Sequence, residues 1–276
     1  ISPNYSIVFY ICIKIGVFYM KKYILEMQVN SNCRIHKNYC LLKLATGDVL
    51  PEMLPGQFVE VKVEHSPSTF LRRPISINFI DRKTNELWLL IQIVGDGTRQ
   101  IAECKPGDQI NVELPLGNGF SIPENKKDSL LLIGGGVGTA PMLYLGATLR
   151  MQGFDPCFLL GARSKEDILQ LESFSQYGKV YITTEDGSLG EKGFVTNHSI
   201  LQNPFDFIYT CGPKPMMMAV AKYAYERNIN CEASLENKMA CGIGACLCCV
   251  EKTTEGNLCV CSEGPVFNIN RLRWQN

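Results

Sequence analysis

The stretch Leu130-Leu131-Leu132-Ile133-Gly134-Gly135-Gly136-Val137-Gly138-Thr139-Ala140-Pro141 marks the point where the character of the chain changes. An apolar run meets a glycine turn, and a helix-like stretch continues to Met151. Strand, glycine turn and helix together open an α/β unit. The turn is not the strict G-x-G-x-x-G fingerprint. Even so, Gly134, Gly136 and Gly138 would let backbone approach a dinucleotide, whose phosphates a helix N-terminus favours. Downstream, residues 157–160, 179–183 and 205–209 read as strands and residues 165–174 and 215–227 as helical, which predicts a parallel sheet covered by helices. Cys211-Gly212-Pro213-Lys214-Pro215-Met216 has the same placement after a later strand, so Cys211, Gly212 and Pro213 are candidates for the same ligand. For either turn, a purely structural role is the competing reading. The loop Thr184-Glu185-Asp186-Gly187-Ser188-Leu189-Gly190 either flanks the nucleotide or is an exposed polar turn.

Upstream, from Lys22 to about Ser121, short runs rich in Val, Ile and Leu end at Pro55-Gly56, Gly95-Asp96-Gly97 and Pro106-Gly107-Asp108. Such punctuation predicts a small antiparallel barrel. Within it, Arg72-Arg73-Pro74-Ile75-Ser76 sits at a strand entry, where an arginine fork can grip a pyrophosphate and a serine hydroxyl can reach another part of the same ligand. A basic turn before a strand is the plainer reading. A second turn, Gly95-Asp96-Gly97-Thr98, offers N–H groups to a phosphate or a flavin edge.

The chain has 276 residues, 46% of them hydrophobic, which points to two or three packed domains and away from disorder. Lys+Arg and Asp+Glu balance at 27 each, so no global basic field exists to collect nucleic acid or an anionic membrane. Residues 7–20 are mostly apolar but are interrupted by Lys14 and Gly16. They are short for a membrane span and no signal cleavage site follows. Residues 1–19 are expected to be an upstream extension, with a membrane anchor or an extra strand as alternatives.

Thirteen cysteines would suggest disulfides in a small secreted chain, but here the number is odd and seven lie between Cys231 and Cys261. Metal ligation in a reducing cytoplasm explains that clustering better. Cys241-x4-Cys246-x2-Cys249, with a more distant cysteine, has the spacing of plant-type [2Fe-2S] ligation, and Gly242, Gly244 and Ala245 suit a loop that turns its N–H groups toward sulfur. Structural zinc is the alternative, because Cys246-x2-Cys249 alone serves either metal. Cys248 lies inside the two-residue gap, and Cys259 competes with Cys261 for the fourth position.

Taken in order, these motifs resemble the ferredoxin-NADP reductase superfamily, in which a flavin-binding barrel precedes a pyridine-nucleotide domain. Its flavin motif commonly reads Arg-x-Tyr-Ser, and here Ile75 takes the aromatic position. With that departure, Arg72 to Ser76, Ala240 to Cys246 and Cys261-Ser262-Glu263-Gly264-Pro265-Val266-Phe267 resemble the electron-transfer subunits of NAD-dependent (type B) dihydroorotate dehydrogenases, from about Met20 to Phe267.

The resemblance implies a flavin-binding barrel over residues 20–122, an NAD-binding α/β domain over 128–228 and a [2Fe-2S] domain over 229–276. It places FAD on Arg73, Pro74, Ile75 and Ser76, on Leu90, Ile91 and Gln92, and on Gly97 and Thr98. The cluster falls on Cys241, Cys246, Cys249 and Cys261. It further implies a cytoplasmic partner, an FMN-containing catalytic subunit in a heterotetramer of two of each, with electrons passing through [2Fe-2S] and FAD to NAD in pyrimidine biosynthesis. No general base is needed in this chain. A related flavin and iron-sulfur reductase subunit, working between NAD(P)H and ferredoxin or a sulfur compound, is the nearest alternative; a zinc-stabilised binding subunit is the non-enzymatic one. The residues leave NAD against NADP open, since Arg163 could meet a 2′-phosphate or pair with Asp167.

Overall fold

The computed structural model describes residues 21–64, 66 and 68–274, so the expectation for residues 1–19 lies outside the described residues. Six strands form a closed barrel: β1 (Tyr23–His36), β2 (Tyr39–Ala45), β3 (Phe58–Val61), β4 (Arg73–Asp81), β5 (Glu86–Gln92) and β6 (Gln109–Leu116), in the order β1-β2-β5-β4-β3-β6. All of its pairings are antiparallel. Side chains alternate across each strand, so Cys40, Leu42 and Leu44 on β2 and Leu87, Leu89 and Ile91 on β5 point into one core with Val59, Val61, Ile110 and Val112. Closure leaves no unpaired edge.

The expected turn at Gly95-Asp96-Gly97-Thr98 is instead the opening of a helix, α1 (Asp96–Ala102), with Gly95 as its N-cap. The Thr98 hydroxyl accepts the Gly95 N–H at 3.1 Å, which closes the first turn. That half of a capping box, supplied by the N3 threonine alone, turns a polar tetrapeptide into helix.

The second half carries β7 (Leu130–Gly135), α2 (Ala140–Met151), β8 (Cys157–Ala162), α3 (Leu171–Ser175), β9 (Lys179–Thr184), β10 (Glu191–Lys192), β11 (Phe207–Cys211) and α4 (Lys214–Glu226). The helical stretch expected over 165–174 is broken: a 3-10 turn at Lys165–Asp167 precedes α3, and Gln170 between them has φ 53. The last segment adds β12 (Asn230–Ser234), β13 (Val250–Thr253), β14 (Gly256–Cys259), α5 (Val260–Glu263) and β15 (Val266–Asn268). The main sheet runs β10-β9-β8-β7-β11-β12-β15, parallel except for β15. β7 is buried along its whole length, as a central parallel strand must be. The chain winds outward from β7 through β8 and β9 and then returns to β11 on its other side. The strand order therefore reverses between β7 and β11, which is where ligands of open α/β sheets bind.

The two halves are joined by buried polar contacts. The Asn78 amide on β4 donates to the Ala140 carbonyl and to Gln170 Oε1, both at 3.1 Å, and accepts from Gln170 Nε2 at 3.0 Å. The Tyr144 hydroxyl on α2 donates to the Met53 carbonyl at 3.0 Å. Asn78 is 0% exposed, so its partners would be orphaned by truncation. Asn78→Ala is expected to destabilise the protein by about 2 kcal/mol, read as a lowered midpoint in thermal unfolding.

Candidate functional site

The cysteine loop is organised by N–H groups that point at sulfur. The Gly244 N–H donates to Cys261 Sγ at 3.0 Å, the Cys261 N–H to Cys249 Sγ at 3.3 Å and the Cys246 N–H to Cys241 Sγ at 3.4 Å. Burial works against a thiolate at Cys241, yet the N–H groups of Ile243, Cys246 and Ala245 hold its pKa down to about 6. At Cys261, burial and the adjacent Cys249 push the other way, so the thiols lie in one another's field. Cys259 differs: its Sγ faces the Gly244 carbonyl at 3.9 Å, an acceptor that suits a protonated thiol. Cys249 and Cys261 are buried, while Cys246 and Cys248 are exposed. Among the described residues, no group of three or more His, Cys, Asp or Glu side chains surrounds a single-ion position. A [2Fe-2S] cluster takes two thiolates on each of its two irons, so it does not call for three such side chains around one ion.

This loop is seated on the barrel. Gly242, at φ 64, lies on β3: a Cβ there would stand 3.0 Å from Glu60 Cγ and 3.0 Å from Leu116 Cδ1. The two faces of β3 serve different neighbours, with Val59 and Val61 in the barrel core and Phe58 in a second core that also holds Leu116, Cys249, Cys261 and Phe267. Asn118, just past β6, fastens the contact, since its N–H donates to the Gly264 carbonyl and its amide to the carbonyls of Ser262 and Glu263.

The flavin candidates sit on neighbouring barrel strands. Arg73, Pro74, Ile75 and Ser76 open β4, and Leu90, Ile91 and Gln92 close β5. Gly97 and Thr98 lie in the first turn of α1 and are buried. The structure brings Arg73 and Gly97 together, for a Cβ on Gly97 would collide with Arg73 Nε. Arg72 turns away and donates to the Glu60 carbonyl and to Asn111, so the two arginines do not form one fork.

The nucleotide candidates meet at the switch point. Gly134, next to last in β7, lies beside Cys211, its register partner on β11. A Cβ on Gly138 would collide with the Cys211 and Gly212 backbone, so only glycine permits this approach of the two turns. Pro213 caps α4 next to them. Among the described residues, Arg163 forms no ion pair with Asp167, whose carboxylate instead lies 3.7 Å from His36 Nε2.

Comparison with known proteins bears directly on these features. Residues 236–273 match the model for the iron-sulfur cluster binding domain of dihydroorotate dehydrogenase B, and residues 132–222 match an oxidoreductase NAD-binding domain. The chain is 41% identical over 248 residues to the dihydroorotate dehydrogenase B (NAD(+)) electron transfer subunit of Lysinibacillus sphaericus, covering 88% of this chain and 95% of the relative. The corresponding subunit of Fusobacterium nucleatum is 37% identical over 250 residues, with the same coverage. The chain belongs to this family of electron-transfer subunits. Among solved structures, that of an NADH-dependent reduced ferredoxin-NADP oxidoreductase superposes with a TM-score of 0.80 at 26% identity over 90% of each chain. An Amycolatopsis cytochrome P450 reductase shares the fold, with a TM-score of 0.67 at 22% identity over 78% of this chain and 69% of that one.

Within this electron-transfer fold, one residue escaped the sequence reading. Glu60 is 1% exposed, and neither carboxylate oxygen has a hydrogen-bond partner. Burial and then Glu113 push its pKa up to about 7, against the pull of Arg72 and Arg73. The only signal was an acid in the run Phe58-Val59-Glu60-Val61, on the face that alternation assigns away from the barrel core. Between the usual glutamate range and pH 7, the folded state holds a proton that the unfolded chain releases, so this group makes stability fall as pH rises. Glu60→Gln removes that dependence. It is expected to match wild type near pH 4 and to exceed it by up to about 3 kcal/mol above pH 7, measured as the difference in thermal unfolding between the two pH values.

Proposed function

We propose that this chain is the electron-transfer subunit of an NAD-dependent dihydroorotate dehydrogenase, connecting an FMN-containing catalytic subunit to NAD in a heterotetramer of two of each. The observation that carries the reading is the seat of the cysteine loop: Gly242 lies on Glu60, and Glu60 is the register partner of Pro74 in the flavin motif. The cysteine loop thus rests on β3, the strand that pairs directly with the β4 segment carrying that motif at the usual strand spacing of about 4.8 Å.

In this reading Cys241, Cys246, Cys249 and Cys261 hold the [2Fe-2S] cluster. Three of these sulfurs already accept N–H groups, as thiolates require, whereas Cys259 faces a carbonyl. FAD lies along Arg73 to Ser76, Leu90 to Gln92 and Gly97 to Thr98, with the Arg73 side chain folded over Gly97, where the missing Cβ leaves room for the guanidinium that would grip the pyrophosphate. Gly134, Gly136, Gly138, Cys211, Gly212 and Pro213 receive the pyridine dinucleotide. When bound, the cluster carries single electrons and the flavin exchanges them for the pairs that NAD takes. The chain's own residues bind and orient these groups. No side chain is assigned as a general base, because substrate oxidation belongs to the partner. The functional units correspond to residues 20–122, 128–228 and 229–276.

The partner would dock over the cysteine loop. Ile243 is 39% exposed and Leu247 65% exposed, two apolar side chains carried by a segment that otherwise turns its polar backbone inward. No helix among the described residues is long and apolar enough to cross a membrane.

Cys261→Ser is expected to abolish iron binding while Cys259→Ser retains the two irons of the cluster, measured by metal analysis and visible absorbance of anaerobically purified protein. Leu247→Glu should keep FAD and iron yet lose co-purification with the catalytic subunit and NAD reduction by dihydroorotate. Undiminished coupling in that variant would place the partner elsewhere. A colourless wild-type protein that contains zinc would sink the proposal.

A further inference from the structure

The tip of the β1–β2 hairpin belongs to the barrel but projects over the other half of the molecule. His36 reaches Asp167 there, and the His36 and Tyr39 rings lie 5.5 Å apart. Tyr39 is 7% exposed and packs with Leu90, Ala140, Leu169 and Val137, residues drawn from both halves. Its hydroxyl accepts the Gln92 side-chain N–H at 3.2 Å. Among the described residues no group takes the hydroxyl's own proton. The hydroxyl also borders the space over the Gly136 turn. A Cβ built on Gly136, which has φ 56, would find Tyr39 Oη at 3.9 Å and no other atom within 4 Å.

A side chain buried for most of its length, with a free donor at the mouth of a glycine turn, costs more than a packed phenylalanine unless something accepts its proton. The turn lies at the switch point and opens α2, a helix of 12 residues, so the acceptor expected over it is an anionic oxygen. Building on the proposed function, we infer that Tyr39 is a barrel-borne ligand of the pyridine dinucleotide, its hydroxyl donating to a phosphate oxygen held over Gly136. Gln92 fixes the hydroxyl from the flavin side, so the two cofactor sites share one hydrogen-bonded bridge. Burial and Asp167 raise the phenol's pKa, which keeps it a donor at physiological pH.

The test is equilibrium binding of NADH and of ADP-ribose to holoprotein by anaerobic calorimetry, with FAD and iron content checked in each variant. ADP-ribose carries the pyrophosphate without the nicotinamide. Tyr39→Phe keeps the ring packing and is expected to weaken both ligands by about tenfold or more, with FAD and iron unchanged. Tyr39→His, which retains a ring N–H, should recover part of the loss. Wild-type affinity for ADP-ribose in Tyr39→Phe overturns the inference, because that variant keeps the packed ring and loses only the hydroxyl. Failure of the wild-type holoprotein to bind either ligand would overturn the proposed function, and the inference with it.

Discussion

The arrangement around the cysteine loop follows from one requirement: sulfur that carries charge must be met by N–H groups. For residues 241–246 to turn amides inward over so short a span, the backbone enters the left-handed region at Gly242 and Gly244, with φ 64 and 84. That curl has two outcomes. It leaves Gly242 bare enough to settle on Glu60 and Leu116 of the barrel, and it sends Ile243 and Leu247 outward. Contact with the flavin barrel on one side and an apolar outer rim on the other are two results of one backbone path.

The cysteine segment is also not an appendage. It lends β12 and β15 to the main sheet, and its Cys249, Cys261, Phe267, Ile269 and Leu272 share a core with Leu131, Leu159 and Ile208 of that sheet and with Phe58 and Leu116 of the barrel. A segment too short for a core of its own borrows two. This fixes the loop's position relative to both neighbours, which a relay between bound groups needs.

Much of this was legible in the sequence because the relevant signals are local. The apolar run before Gly134 gave β7, turn punctuation between short apolar runs gave the barrel, and the cysteine spacing gave the loop. What escaped depends on contacts distant in sequence. Glu60 is an ordinary acid in a strand until Gly242 covers it, 182 positions later in the chain (242 − 60). Arg72 and Arg73 read as a fork, but they sit on successive residues of a strand region and diverge, one to Asn111 and one to Gly97. The turn at Gly95 became α1 through a hydroxyl cap, and the helix expected over 165–174 broke at Gln170, whose side chain is held by Asn78 across the interface. No window of sequence contains that partner.

That β15 follows every other strand in sequence bears on how the molecule is made. The barrel closes with β6 at Leu116 and can collapse while later residues are still being synthesised. The sheet cannot. Its β12 edge stays open, and the apolar face of Leu131 and Ile208 lacks Phe267, Ile269 and Leu272, until those residues have left the ribosome. The nascent chain therefore carries a finished barrel beside an unfinished sheet. The segment that completes the sheet is the one that bears the cysteines, so completion of the fold and closure of the cysteine loop converge on the same residues.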